Sequence, residues 1–138
     1  MLGLLMIIFA SCSKRDGNVY DINNFSRITS DEDSLKEMRV VYLSKIDEAF
    51  NMIRTYYNDG SLMGISYYKN HKRTGPWIQF LNSKVSFEGN FLNGMKIGLH
   101  KYYYQNGAPY IVEEYQNGKM VSKVEYSENG VVVCSKKF

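Results

Sequence analysis

The chain has 138 residues, 44% of them apolar, and 17 Lys and Arg against 14 Asp and Glu give a formal charge of +3. That size suits a single domain, and the apolar share with so small a net charge excludes a wholly disordered chain. Twelve Tyr, 12 Asn and 11 Gly stand against 2 Pro, 2 Cys, 2 His and 1 Trp, a balance that favours strands and tight turns over acid–base or metal chemistry.

The chain opens on an uncharged apolar run, Leu2 to Phe9, followed by Ala10, Ser11 and Cys12. Eight residues are too few for a bilayer, which needs about 20. An apolar run closing on small residues has the form of a secretory signal and its cleavage site. Phe9-Ala10-Ser11-Cys12 resembles the bacterial lipoprotein signal, and the resemblance implies cleavage before Cys12, whose thiol then carries diacylglycerol. Phe9 stands where Leu is commonest, and no Lys or Arg precedes the run, as a start codon placed too far downstream would leave it. A buried N-terminal strand with a free Cys12 is disfavoured, because Ser13 to Gly17 continue no apolar pattern. Residues 1–11 are therefore read as signal, and acyl chains on Cys12 anchor the protein to a membrane without spanning it. The expected location is the cell envelope, at the outer membrane or periplasmic face of a Gram-negative bacterium. Lipid on Cys12 leaves Cys134 without an intramolecular partner; without the lipid, a Cys12–Cys134 disulfide is open.

Residues 12–38, rich in Asp, Asn, Ser and Arg, read as a loosely structured tether. Leu35, Met38, Tyr42, Ile46, Phe50, Ile53 and Tyr57 recur at helical spacing, with Ser30 and Asp33 as caps, which allows a short N-terminal helix. Two strands, Arg39–Ser44 and Asn51–Tyr57, are favoured instead, being β-branched, aromatic and closed by Asn58-Asp59-Gly60.

Turn signals then recur at Asn58, Asn70, Asn82, Asn93, Asn106, Asn117 and Asn129, spaced 11 to 13 residues apart. Asn-Gly between alternating runs signals a type I′ hairpin, whose central residues need positive φ. The runs between the turns have strand length. Alternate turns superpose: Asn70 to Phe80 lies over Asn93 to Tyr103 with Gly75 on Gly98, and Asn117 to Tyr126 is a weaker copy with Ser122 where glycine is expected. The Asn-Gly turn, the Lys, the Gly before an aromatic strand and the next Tyr-rich turn resemble MORN-repeat variants of bacterial proteins, including those labelled YwqK-type antitoxins. The resemblance covers residues 56–130 well and 39–55 faintly, and implies a repeat array and a protein partner.

The expected fold is all-β: a single-layer antiparallel meander of repeated hairpins over residues 39–138. In Val85 to Phe91 the alternation places Val85, Phe87, Gly89 and Phe91 on an apolar face and Ser86, Glu88 and Asn90 on a polar one. Gly75, Gly89 and Gly98 are expected to bend the sheet into a trough.

Few side chains carry chemistry. His71 falls in a turn and His100 opens a strand, both read as exposed and distant from each other. No metal-ligand spacing occurs, and no metal or cofactor is expected. Glu113 and Glu114 face opposite sides of a strand, and Cys134 reads as an edge-strand packing residue. A surplus of four positive charges over residues 58–138 falls short of a nucleic-acid surface, so no nucleic-acid partner is expected. Lys72, Lys96 and Lys119 follow the turns as guards against edge pairing, or as a cationic row for anionic lipid. Trp77, Phe80, Tyr102 and Tyr104 form the candidate binding face. The favoured function is a lipid-anchored, non-catalytic binding or scaffold module, of which an antitoxin or immunity role is one version. The alternatives are an envelope hydrolase acting on wall or glycan and an anionic-lipid-binding module.

Overall fold

The computed structural model describes residues 20–33 and 37–138; the signal and Cys12 lie outside them. Ten antiparallel strands form one open sheet in sequence order. They are β1 (Phe25–Asp33), β2 (Glu37–Ser44), β3 (Phe50–Tyr57), β4 (Leu62–Lys69) and β5 (Lys72–Leu81), then β6 (Lys84–Leu92), β7 (Met95–Tyr103), β8 (Pro109–Gln116), β9 (Lys119–Tyr126) and β10 (Val132–Lys137). A meander in a single layer is the expected architecture.

The two strands favoured at Arg39–Ser44 and Asn51–Tyr57 form as β2 and β3, paired from Glu37↔Tyr57 to Leu43↔Asn51, in place of the alternative helix across residues 35–57; the helix among the described residues is one 3₁₀ turn, Ile22–Asn24. The sheet also begins inside the stretch read as a tether, because β1 pairs with β2 from Phe25↔Ser44 to Asp33↔Glu37. A polar segment becomes a strand when a preformed neighbour offers it a hydrogen-bonding edge.

The turns fall into two kinds. At Asn70-His71, Asn82-Ser83, Asn93-Gly94 and Asn117-Gly118 both central residues have positive φ, from 49° to 86°, the type I′ backbone whose twist matches the flanking strands. The turns after Tyr57, Tyr104 and Ser127 are wider, each closed by bonds such as Gly107 N to Tyr104 O at 2.9 Å and Tyr104 N to Ala108 O at 2.8 Å.

Successive hairpins are tied at both sides of the sheet. Asn70 N donates to Ala49 O at 3.0 Å, Gly94 N to Arg73 O at 2.8 Å and Gly118 N to Lys96 O at 3.1 Å. At the opposite side Tyr57 Oη donates to Phe80 O at 3.1 Å, and Tyr104 Oη to Tyr126 O at 2.9 Å. The sequence repeat is thus a repeat of contacts between neighbouring units, as in stacked arrays.

The pairing is interrupted at repeat-equivalent places. Ser66 pairs with Trp77 but Tyr68 with Arg73, so β5 holds two extra residues around Gly75. Glu88 pairs with Lys101 but Asn90 with Ile97, which sets Gly98 in the same position on β7. Gly75 has φ 76° and Gly98 φ 65°, backbone that a side chain disfavours. In β9, which has Ser122 instead of glycine, the interruption shrinks to one residue, between Glu114 and Tyr115 of the partner strand.

The apolar surface does not stay on one face. Phe25, Phe50, Met52 and Tyr67 form a buried cluster with Tyr20, Tyr42 and Ile65 packed against it. Ile65 pairs with Ile78, while Ser66 pairs with Trp77, and Trp77 belongs to a second cluster with Phe87 and Phe91. Adjacent strand residues point to opposite faces, so the two clusters occupy opposite faces of the sheet. Val85 leaves its expected face: a shift between Gln79 and Phe80 pairs it with Phe80, and it is exposed.

Candidate interaction face

Strands β5 to β8 carry a connected row of rings. Trp77 meets Phe87 at 4.7 Å, Phe87 meets Tyr102 at 4.8 Å, Tyr102 meets Tyr110 at 6.0 Å and Tyr110 meets Tyr104 at 5.1 Å, all tilted or edge-on. Such geometry suits the ring quadrupoles. Three of the four residues expected at a binding face, Trp77, Tyr102 and Tyr104, are therefore joined, through Phe87 and Tyr110. Phe80 is not: it lies past the register shift opposite Val85, where its carbonyl accepts the Tyr57 hydroxyl.

Arg73 closes the Trp77 end. Its guanidinium lies 4.3 Å from the Trp77 ring, 5.0 Å from Phe91 and 5.6 Å from Tyr68, and Nη2 donates to the Tyr68 hydroxyl at 3.0 Å. Arg73 has no carboxylate partner among the described residues. The rings take the place of a counter-charge, a cation–π arrangement.

Lys96 occupies the equivalent place one repeat on, since Tyr68↔Arg73 and Phe91↔Lys96 are matching pairs. Its Nζ donates to Tyr115 Oη at 3.1 Å and lies 3.9 Å from Glu113 Oε2; Tyr115 Oη in turn donates to Glu113 Oε2 at 3.0 Å. Burial pulls the ammonium pKa down, but the Tyr115 bond and the charges of Tyr102, Tyr115 and Glu113 outweigh it and leave it raised. Lys72 and Lys119 pair with Lys69 and Gln116, each next to the pair that matches Lys96. They therefore point to the opposite face, and the three lysines make no common row.

His100, read as exposed, is fully buried at 0%. Its ring packs against Tyr115 at 4.9 Å, Phe91 at 5.4 Å and Phe87 at 5.8 Å, and Nε2 meets the Asn90 carbonyl at 3.0 Å. Nδ1 is buried without a hydrogen-bond partner among the described residues, so the neutral ring with hydrogen on Nε2 fits best. Burial lowers the His100 pKa, against the Asn90 bond that would raise it. A signal for this burial exists in the repeat: with Gly75 on Gly98, His100 falls on Trp77, an apolar ring position. His71 sits in its turn, exposed.

The reverse face carries a polar group. Tyr103 Oη donates to Glu88 Oε1 at 2.5 Å, and Lys101 Nζ reaches the same oxygen at 3.2 Å. The Tyr103 bond holds the Glu88 carboxyl below its usual range, helped by Lys101, and burial with the Glu88 bond pushes Tyr103 up. Glu113 and Glu114 diverge: Glu113 pairs with His100, and Glu114 accepts from Ser122 Oγ at 3.2 Å. Cys134 is exposed on β10, in contrast to the packing role expected for it. A shallow open cleft of about 450 Å³ lies between the Asn58-Asp59 and Asn82-Ser83 turns; Asp59 there is occupied by Ser61 N and Oγ at 2.8 and 2.6 Å. Among the described residues no three of His, Cys, Asp and Glu come together as a metal site.

No protein-family model matches the chain, and no curated protein matches it in sequence.

Proposed function

We propose that the chain is a non-catalytic binding module, held at the cell envelope by lipid on Cys12, whose β5–β8 face docks a protein partner. The observation that carries this reading is the unbroken row Trp77–Phe87–Tyr102–Tyr110–Tyr104 on one face of a single-layer sheet. Partly exposed Tyr and Trp are the side chains that anchor interfaces, because each buries a large apolar area and keeps a polar atom for the rim. The MORN-like repeat adds a protein partner as the class of ligand, with an antitoxin or immunity role as one form of it.

The burial of His100 favours this reading over an envelope hydrolase. His100 is sealed from solvent and faces a backbone carbonyl, so it has no route to a glycan, and general acid–base work needs a group within reach of the substrate. The lysine geometry weakens the lipid-headgroup reading for the same row, because Lys96 is engaged by Tyr115 and Glu113.

The test is a pull-down from solubilised envelopes with wild-type chain and Tyr104→Ala/Tyr110→Ala chain. The double variant is chosen over Trp77→Ala because Trp77 is packed beneath Arg73. The wild type recovers a partner that the variant loses. Equal recovery by both, or by neither, refutes the binding face. Mass spectrometry of the mature chain tests the anchor: a diacylglyceryl adduct on Cys12 is expected, and an unmodified N-terminus refutes it.

A further inference from the structure

The turns after Tyr57 and Tyr104 are built alike. Gly60 N donates to Tyr57 O and Gly107 N to Tyr104 O, both at 2.9 Å. In each turn a side-chain oxygen accepts the backbone N–H two residues on: Asp59 Oδ1 from Ser61 N and Asn106 Oδ1 from Ala108 N, both at 2.8 Å. Each leading tyrosine reaches the next hairpin, Tyr57 Oη to Phe80 O and Tyr104 Oη to Tyr126 O.

The second side-chain atom separates them. Asn106 Nδ2 is a donor and bonds Glu128 O of the next turn at 3.3 Å. Between the two, Lys84 Nζ closes on Gln105 O at 2.9 Å. Asp59 has an acceptor, Oδ2, in place of the Asn106 donor, so it makes no such bond to a carbonyl. Both bonds from Ser61 go to Oδ1, and among the described residues nothing donates to Oδ2. The gap from this turn to Asn82-Ser83 therefore stays open as the cleft of about 450 Å³. We propose that this cleft is a binding site for neutral glycans, distinct from the β5–β8 ring row, in which pyranose hydroxyls meet Asp59 Oδ2 and the side chains of Asn58, Asn82 and Ser83.

The lining matches that chemistry. Asn58, Asn82 and Ser83 line the cleft with side chains that bond nothing among the described residues. Amides and hydroxyls both donate and accept, and the free carboxylate oxygen accepts, a set that suits vicinal hydroxyls, each of which is donor and acceptor at once. A sugar ring also has an apolar C–H face. Leu81, 45% exposed, and the Tyr57 ring, fixed through its hydroxyl, supply an apolar wall for it. The volume falls in the range of small-molecule clefts, about 300–1,000 Å³.

Other ligands fit less well. Among the described residues no Lys or Arg lines the cleft, so nothing there balances a phosphate, a sulfate or an acidic sugar. Calcium takes six to eight oxygens, carboxylates prominent among them, whereas the cleft has one carboxylate with one oxygen already engaged. A single carboxylate also binds a glycan without cleaving it, since hydrolysis of the glycosidic bond uses a pair.

The test is titration of the isotope-labelled full chain, carrying Cys12→Ser, with chitotriose, cellotriose and mannotriose, read by amide NMR. At least one sugar is expected to give saturable shifts at residues 57–61 and 81–83, the Asn58 and Asn82 side-chain amides included. Trigalacturonic acid is expected to bind more weakly, because it brings like charge to Asp59. Asp59→Asn keeps the oxygen that accepts from Ser61 N, as Asn106 does in its own turn, so the thermal midpoint stays near that of the parent. It replaces the free acceptor by a donor and is expected to weaken binding about tenfold or more, as loss of a hydrogen bond to a charged group does. Leu81→Ala, at an exposed position, also weakens binding. No saturable shift with any of the three sugars, shifts centred outside the two turns, undiminished binding by Asp59→Asn, or tighter binding of trigalacturonic acid overturns the proposal. Saturable shifts at Asp59 with calcium chloride, reversed by EDTA, overturn it in favour of a cation site.

Discussion

Gly89 and His100 are complementary surfaces: a Cβ built on Gly89 would lie 2.5 Å from Nδ1 and 2.7 Å from Cε1 of the imidazole. The side chain that β6 lacks is the space that the β7 ring fills. Gly89→Ala is expected to destabilise the fold by about 1–3 kcal/mol, the usual range for overpacking, read as a lower urea midpoint at unchanged slope. An unchanged midpoint would show that the ring moves aside freely.

The same ring makes stability pH-dependent. Burial lowers the His100 pKa from the ordinary 6.5, so the unfolded chain binds the proton more readily than the folded one. Stability is then complete above pH 6.5 and falls as pH drops below that value, levelling once the folded-state pKa is passed. Lys96 and Glu113 face the ring and oppose each other in sign. Thermal midpoints between pH 8 and 5 are expected to fall in the wild type and to fall less in His100→Phe. Equal slopes in both would assign the dependence to other groups.

Gly75 and Gly98 share a repeat position but not surroundings. Among the described residues nothing lies within 4 Å of a Cβ on Gly98, whereas one on Gly75 meets the Tyr20 side chain at 2.5 to 2.8 Å. Gly98→Ala carries only the left-handed backbone cost, about 1 kcal/mol. Gly75→Ala adds displacement of Tyr20 from Phe50 and Tyr67 and is expected to cost about 1–2 kcal/mol more. Chemical denaturation in a Tyr20→Ala background checks this, where the two costs converge.

Arg73 covers the single tryptophan. Arg73→Leu removes a cation 4.3 Å from the Trp77 ring and is expected to shift Trp77 emission and cost about 1–2 kcal/mol. Arg73→Lys restores part of the stability without the planar stack. Emission unchanged in both variants would place the guanidinium away from the ring.

Turns were legible in the sequence because they are local. A type I′ turn needs positive φ at two adjacent residues, supplied at Asn70-His71, Asn82-Ser83, Asn93-Gly94 and Asn117-Gly118, whereas Asn106-Gly107 and Asn129-Gly130, expected to be of the same type, form wider turns with only the glycine at positive φ. The repeat equivalence of Gly75 and Gly98 was legible, but the two extra residues beside each were seen only in the strand pairing. Strand β1 was not, since Phe25 to Asp33 reads as a polar tether and becomes a strand through the edge that β2 offers. The candidate face was partly legible: Trp77, Tyr102 and Tyr104 connect, but only through Phe87 and Tyr110, and Phe80, three residues from Trp77 on the same strand, points to the opposite face.

The sequence by itself determined a repeating all-β meander, because Asn, Gly and aromatic residues act through their own backbone and nearest strand. Only the tertiary structure decided which face each ring occupies. A register shift of a single residue moves a side chain to the other side of a sheet, as at Val85 beside the Gln79/Phe80 shift, whereas the two-residue shifts at Ser66 and Glu88 keep the face on either side of them. Strand pairing set the rings into clusters on two faces and buried His100 against Gly89. Each of these outcomes depends on pairing between strands, a property that no single stretch of the chain contains.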